Sequence, residues 1–546
     1  MRKTLLTAAA LCLATSTASI PAFAATVPPA SPGDARADLP ALKAQAIANV
    51  DGEAKQIQVM VDELFSYAEP GFQEVRSSAY IAGVLEKNGF TVTRGVAGIP
   101  TAFTATWGKG GPLIALGSDI DALLGLSQYP GIAEKKPMVE GAPGHGEGHN
   151  TGLPVVVAAA ISAKRVMEKN GIPGRLLIWP GVAEELLAGK AYLVRAGVFK
   201  GVDASIFTHV SSEFGTSWGD MGQSAMVSVE YTFHGKSAHA AGAPWEGLSA
   251  LDGVEVMDVA WNFRREHLPL TQRSHSVITN GGGQPNIVPD TASVWYFFRE
   301  KDFGSVRKLY EIGNTIAQGA ALATGTTVDH RLLGYAAPNY GNKPLAEAAY
   351  ANIQAVGMPK WNADDQAFAH AVQLGSGRET KPLSDSVGVL STPATRVGAL
   401  SGGSDDIGDV MWTVPTITVR YPSNVPGLLA HNSMAAIAMA TPVAHKGAVA
   451  GAKAVALTVL DLVTTPSLIS EAKAWFADVQ TKDQKYDPVL AAGDPPPIFL
   501  NRQVMRELRP EMEKFYYNPA KYASYLDQLG IDYPSGKAKG PSRPAR

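Results

Sequence analysis

The sequence predicts an α/β fold, a mostly parallel sheet covered by helices, with a smaller α+β domain inserted into it. Three observations predict it. Short, continuously apolar runs alternate with long helical patterns between residues 113 and 207, as buried parallel strands and their crossover helices do. Near Ser224 the pattern changes to apolar–polar alternation, the mark of half-exposed antiparallel strands. After about residue 335 the first style returns. The 546 residues are also too many for one core of ordinary size.

In order, a helical pattern begins near Leu42 and carries Ile47, Val50, Ile57, Val61, Leu64 and Phe65. Leu113–Leu116 reads as a buried strand ending at Gly117, and Leu153–Val166 as an Ala-rich helix. Leu176–Trp179 is a second strand, stopped by Pro180 and Gly181, and Ala204–Phe207 a third. On such sheets the chemistry sits at the carboxyl ends of the strands. From Ser224 onward Val227, Val229, Tyr231 and Phe233 alternate with polar or small residues. A helix over Ser249–Phe263, a strand around Ser276–Ile278, a Gly281–Gly283 turn, a strand over Ala292–Phe298 and a helix over Val306–Leu322 complete this block. Thr416–Arg420 reads as a core strand and His445–Val463 as a long buried helix. Gly493–Pro497 breaks the chain before an aromatic-rich C-terminal appendage. The boundaries that follow are 40–224 and 336–480 for the two parts of the main domain, 225–335 for the insertion, 481–534 for the appendage, and 535–546 for a disordered tail rich in Gly and Pro.

A formal net charge of −3 gives no sign of a nucleic-acid or anionic-membrane surface. At the N-terminus, Arg2 and Lys3 precede an apolar run over Leu5–Ala14, and Ala22-Phe23-Ala24 fits a signal peptidase site. Residues 1–24 are expected to be a signal peptide, and the mature chain to be periplasmic or secreted. The single cysteine, Cys12, falls inside that signal, so the mature chain has no thiol for a disulfide, a nucleophile or a metal. No later run reads as long and apolar enough to span a bilayer.

Four clusters carry potential chemistry. Asp119-Ile120-Asp121 follows the first strand. Gly144-His145-Gly146-Glu147-Gly148-His149-Asn150 opens the Ala-rich helix, with glycines that expose His and Glu, good ligands for an ion such as Zn(II). Glu184-Glu185 follows the second strand. Two adjacent carboxylates point different ways, so one can hold a metal while the other faces a water. His209 closes the third strand. Each alone has a plain reading as a turn, cap or solvated loop; four on successive strand ends carry more weight together.

Around these residues the chain resembles the two-metal peptidase and aminoacylase family that includes carboxypeptidase G, plant auxin-conjugate hydrolases and succinyl-diaminopimelate desuccinylase, nearest to its p-aminobenzoyl-glutamate hydrolase branch. The resemblance runs over residues 45–480 and rests on Gly117–Leu123, Gly125–Gln128, the 144–150 loop, Ala183–Glu185, Gly235–Ala241, Pro285–Asp290, Gly403–Val410, His431 and His445–Gly447. It implies a metal-dependent amidohydrolase that cleaves an N-acyl, possibly aroyl, amino acid or small peptide with metal-activated water. It implies two divalent ions, Zn or Mn, held by Glu147, His149, Glu185, His209 and His431. Glu184 would be the general base and Asp121 would orient a ligand. The insertion would be a dimerisation or lid domain of a homodimer, with His239 reaching across to the oxyanion. Asn286, Arg299, Gly403 and Ser404 would contact substrate, Arg299 as a two-point clamp for a carboxylate.

The chain departs from that branch at Glu147, where Cys is usual. An oxygen ligand in place of sulfur shifts preference toward harder ions such as Mn(II) and suits an oxidising compartment. The alternative is a catalytically inactive periplasmic binding protein on the same scaffold.

Overall fold

The computed structural model describes residues 38–396 and 403–534; the expected signal peptide and C-terminal tail lie outside the described residues. The main sheet has seven strands: β1 (Thr91–Arg94), β2 (Phe103–Lys109), β3 (Leu113–Asp119), β4 (Gly174–Gly181), β5 (Ala204–Ser211), β6 (Gly215–Thr216) and β11 (Thr416–Pro422). Their spatial order is β1-β2-β4-β3-β5-β11-β6. The four central strands β4, β3, β5 and β11 are parallel, and the outer strands pair antiparallel. The apolar runs seen in sequence are these buried central strands, each longer than its apolar stretch because the polar ends continue the ladder.

Helices α1 (Leu39–Gly52), α2 (Ala54–Tyr67), α3 (Val75–Lys87) and α4 (Gly152–Asn170) come from the first part of the chain. Asp119 ends β3, Glu184 and Glu185 follow β4 directly, and His209 lies in β5. The parallel centre therefore delivers three of the four clusters to one edge of the sheet.

The expectation that no later run could span a bilayer needs correction. A 23-residue helix, Pro442–Thr464, is long and apolar enough by length and composition, but 83% of its most apolar window is buried inside the protein. It packs against α1, α2, α4 and β11, the role of a core helix. Two glycines let it approach β11. A Cβ at Gly447 would lie 2.1 Å from the Pro422 carbonyl oxygen, and one at Gly451 would lie 2.8 Å from the Tyr421 side chain. Gly447→Ala is expected to destabilise the fold by about 1–3 kcal/mol through overpacking, despite the roughly 1 kcal/mol helix propensity it gains. Denaturant midpoints check this, and an unchanged midpoint would mean the helix can back away from the sheet.

Residues 225–336 form a separate four-stranded antiparallel sheet, β7 (Ala225–His234), β8 (Arg273–Asn280), β9 (Thr291–Glu300) and β10 (Thr327–Ala336), ordered β10-β7-β9-β8. Its alternating residues Val227, Val229, Tyr231 and Phe233 are buried. They lie under α5 (Ala250–Arg265) and α6 (Phe303–Thr324), each capped by a side chain, Ser249 and Asp302. Strand β8 is an edge with Val277 and Ile278 more than half exposed, and α5 exposes Val259 and Phe263.

The appendage folds back onto the main domain. Arg509 pairs with the buried Glu69, and the Tyr525 amide donates to Asp62 at 3.0 Å. Tyr533 donates to Asp365 at 2.9 Å. Tyr525 is fully buried, so the aromatic content of this segment is packing.

Candidate active site

The 144–150 loop bends because Gly148 adopts φ +98°, where a Cβ would meet the Met439 sulfur at 2.4 Å. That bend sends neighbouring residues different ways. His145 turns into the core, where its Nε2 lies 3.1 Å from the Leu64 carbonyl and burial lowers its pKa to about 3. Glu147 and His149 turn toward the sheet edge. Glu184 and Glu185 form a short turn between Ala183 (φ 54°) and Leu187 (φ 50°), two left-handed residues. Glu74 stabilises that strained turn by accepting the Ala183 amide at 2.8 Å.

The candidates converge. His149 Nδ1 lies 3.5 Å from Asp121 Oδ1 and 3.8 Å from Glu185 Oε1, and its Nε2 lies 3.9 Å from Glu184 Oε2. Asp121 also accepts the Glu185 amide at 3.0 Å, which fixes the direction of the glutamate turn. Glu147 stands between two imidazoles, one oxygen 2.7 Å from His431 Nε2 and the other 3.6 Å from His209 Nε2. His431 Nε2 also lies 3.4 Å from Glu185. Ligand atoms of Glu147, His149 and Glu185 lie within 4.8 Å of one another, and so do those of Asp119, His149 and His209. These residues surround a cavity of about 380 Å³, also lined by Arg299, Gly403 and Ser404.

His239 and Asn286 are not brought to this cavity. His239 accepts the Ala241 and Gly242 amides through Nδ1 on an exposed loop, and the Asn286 carbonyl accepts the Ala240 amide there.

The electrostatics are lopsided. Asp119, Asp121, Glu184, Glu185, Asp405 and Asp406 are all largely or fully buried. Lys190, fully buried, faces them with its ammonium 2.6 Å from Asp119, 3.8 Å from Asp405 and in contact with Asp406. Burial, with the charges of Asp119 and Asp405, pushes Glu184 well above its usual range. Burial also raises Glu185 and takes Asp119 up to about 8. Glu147 goes the other way. Burial would raise it, but the His431 hydrogen bond and the nearby His209 outweigh that and hold it well below the carboxylate range. His209 is pushed down to about 4 by burial and the Arg420 charge, so it is neutral, as a metal ligand must be. Its Nδ1 lies 2.9 Å from the Val210 carbonyl, an orientation that leaves Nε2 for the cavity.

Two observations fit divalent cations here: the excess of buried carboxylates, which cations would offset, and His149 Nε2, which is buried without a hydrogen-bond partner. The donor set of imidazole and carboxylate suits ions such as Zn(II) or Mn(II).

Asp405, Gln223, His275, Lys190 and Arg420 were not picked out from sequence. Asp405 had a signal, lying next to Ser404 in a Gly-rich acidic stretch. Lys190 and Arg420 had none, since an isolated cation after a turn or in a strand reads as solvated.

Acids and imidazoles gathered at the carboxyl edge of a parallel sheet define a hydrolytic site with candidate metal ligands. Known proteins agree. Residues 221–321 match the M20 peptidase dimerisation domain. The chain is 32% identical over 471 residues to one of the two subunits of the p-aminobenzoyl-glutamate hydrolase of Escherichia coli strain K12, covering 82% of this chain and 98% of that protein. It is 29% identical over 455 residues to Xaa-Arg dipeptidase of Mus musculus, covering 82% and 95%. A solved protein described as an aminohydrolase, from methicillin-resistant Staphylococcus aureus, shares the fold with TM-score 0.53 at 17% identity, over 77% of this chain and 100% of that one. The chain belongs to the M20 peptidase family of hydrolases.

Proposed function

We propose that the protein hydrolyses the amide bond of an N-acyl or aroyl amino acid or small peptide, using two divalent metal ions. The observation that carries this reading is Glu147, which turns one oxygen toward His209 and the other toward His431, as a carboxylate shared between two ions would. Glu147, His149, Glu185, His209 and His431 would hold the ions. When bound, they supply Lewis acidity to the substrate carbonyl and lower the pKa of water. Glu184 lines the cavity and acts as general base, accepting a proton from the attacking water and delivering it to the leaving nitrogen. Its raised pKa makes it the stronger base. Asp121 holds His149 and the Glu185 amide in place. Arg299, with Nε buried and unpaired, suits a substrate carboxylate, and Gly403 and Ser404 line the same wall.

The protein acts as a homodimer through the inserted domain, whose exposed Val259, Phe263, Val277 and Ile278 form an apolar face that a second copy would cover. The partner subunit's His239 would then donate to the oxyanion, and Asn286 would lie beside it. The mature enzyme works in an exported, oxidising compartment. Mixing inactive Glu184→Gln with inactive His239→Ala is expected to restore activity, because a hybrid dimer contains one intact site. No recovery from mixed, exchanged dimers would contradict action in trans.

The general test is hydrolysis of a panel of N-acyl amino acids after loading with Zn(II) or Mn(II). Turnover that a chelator abolishes and metal restores supports the reading. Ligand binding without turnover under every loading would favour an inactive binding protein.

A further inference from the structure

A second cavity, of about 340 Å³, adjoins the first, and Gln223 and Arg420 line both. Nothing in the reaction derived above uses it. Phe214, Gly215 and Met221 lie on one side and Gly388 and Val389 on another. Arg420 pairs in register with Gly215 across the β11–β6 edge, so the strand itself sets the guanidinium at the junction of the two spaces.

The cation at the junction lacks an anion. Arg420 forms no ion pair with a carboxylate among the described residues. Its side chain has one hydrogen-bond contact there, His209 Nδ1 at 3.2 Å, a nitrogen already beside the Val210 carbonyl. A half-buried guanidinium left without a counter-ion is costly unless a ligand supplies one. Gln223 accepts from Asn339 through Oε1 at 2.6 Å, which leaves its NH2 group as a second donor. The acid in the second cavity is Glu213, and it is exposed.

We infer that Arg420 and Gln223 form a specificity subsite for an extended, carboxylate-ended arm of the substrate, one amino-acid residue longer than a simple N-acyl amino acid. The scissile amide lies in the first cavity, and the arm passes Arg420 into the second. The substrate class is then an acylated dipeptide-like amide carrying a terminal carboxylate. This rests on the hydrolase reading above and adds its substrate length and charge.

The test uses binding, so that it does not depend on turnover. Metal-loaded Glu184→Gln protein is titrated calorimetrically with benzoyl-glycine, benzoyl-glycyl-glycine and benzoyl-glycyl-glycinamide. The dipeptide acid is expected to bind about tenfold tighter than its amide, the worth of one charge-assisted contact. Adding Arg420→Gln should erase that difference while metal content stays the same. Gly215→Phe places bulk where a Cβ meets nothing within 4 Å, and should weaken both dipeptide ligands relative to benzoyl-glycine. Equal binding of acid and amide would overturn the subsite, as would an Arg420→Gln effect of the same size on all three ligands. Hydrolysis by protein with Glu184 intact is scored separately, so failure of the chemistry and failure of the subsite give different results.

Discussion

Glu184→Gln is expected to lower turnover by about 10²–10⁴-fold, the usual cost of losing a general base, with the fold and metal content retained. The substitution keeps the shape and removes the group that takes up the proton. Two features make this the decisive residue. Glu184 follows β4 on a turn held by two left-handed residues, Ala183 and Leu187, so its position is specified by the backbone. It also lies among carboxylates in a buried environment that raises its proton affinity. Initial rates on any substrate that the unsubstituted protein cleaves, together with elemental analysis, check the prediction. Turnover within tenfold of the unsubstituted protein would remove Glu184 from the mechanism.

Lys190→Met is expected to destabilise the protein by about 3–5 kcal/mol, because it leaves buried carboxylates without their cation. Lys190 is fully buried, and Asp119 and Asp406 hold its ammonium. Asp406 also accepts the Gly189 and Lys190 amides, at 3.2 Å and 2.9 Å. The lysine thus ties the segment after the glutamate turn to the 405–409 stretch, behind the cavity. Methionine fills similar volume but supplies no charge. A lower denaturation midpoint is the expected readout, with activity lost even where the variant stays folded, since Asp119 lies in the group beside His149 and His209. A midpoint equal to that of the unsubstituted protein would mean the aspartates take up protons at little cost.

The fold was legible where local pattern and tertiary role agree. Continuous apolar runs give the central strands, and the change to alternation marks the antiparallel sheet. Strand β1 left no signal, because Thr91–Arg94 is a largely exposed polar edge whose pairing with β2 is specified only in three dimensions. The apolar helix Pro442–Thr464 was legible as a helix and as buried, yet its length and composition also meet the criterion for a membrane span; periodicity cannot separate the two. At the site, Asp121, Glu147, His149, Glu184, Glu185 and His209 were legible because chemically capable residues fall at strand ends and in a Gly-rich loop. His431 came from the resemblance alone. Lys190 and Arg420 escaped because their meaning lies in burial and in which neighbours lack a partner. His239 and Asn286 stay apart from the cavity within one chain, as residues that act across a dimer would.

The most direct measurement is the metal content of the mature protein and of its Glu147→Ala variant, by elemental analysis after loading with Zn(II) or Mn(II). A carboxylate that joins His209 and His431 in one two-metal site predicts about two ions per chain in the unsubstituted protein and fewer in the variant. No bound metal, or equal content in both proteins, would contradict a two-metal centre organised by Glu147.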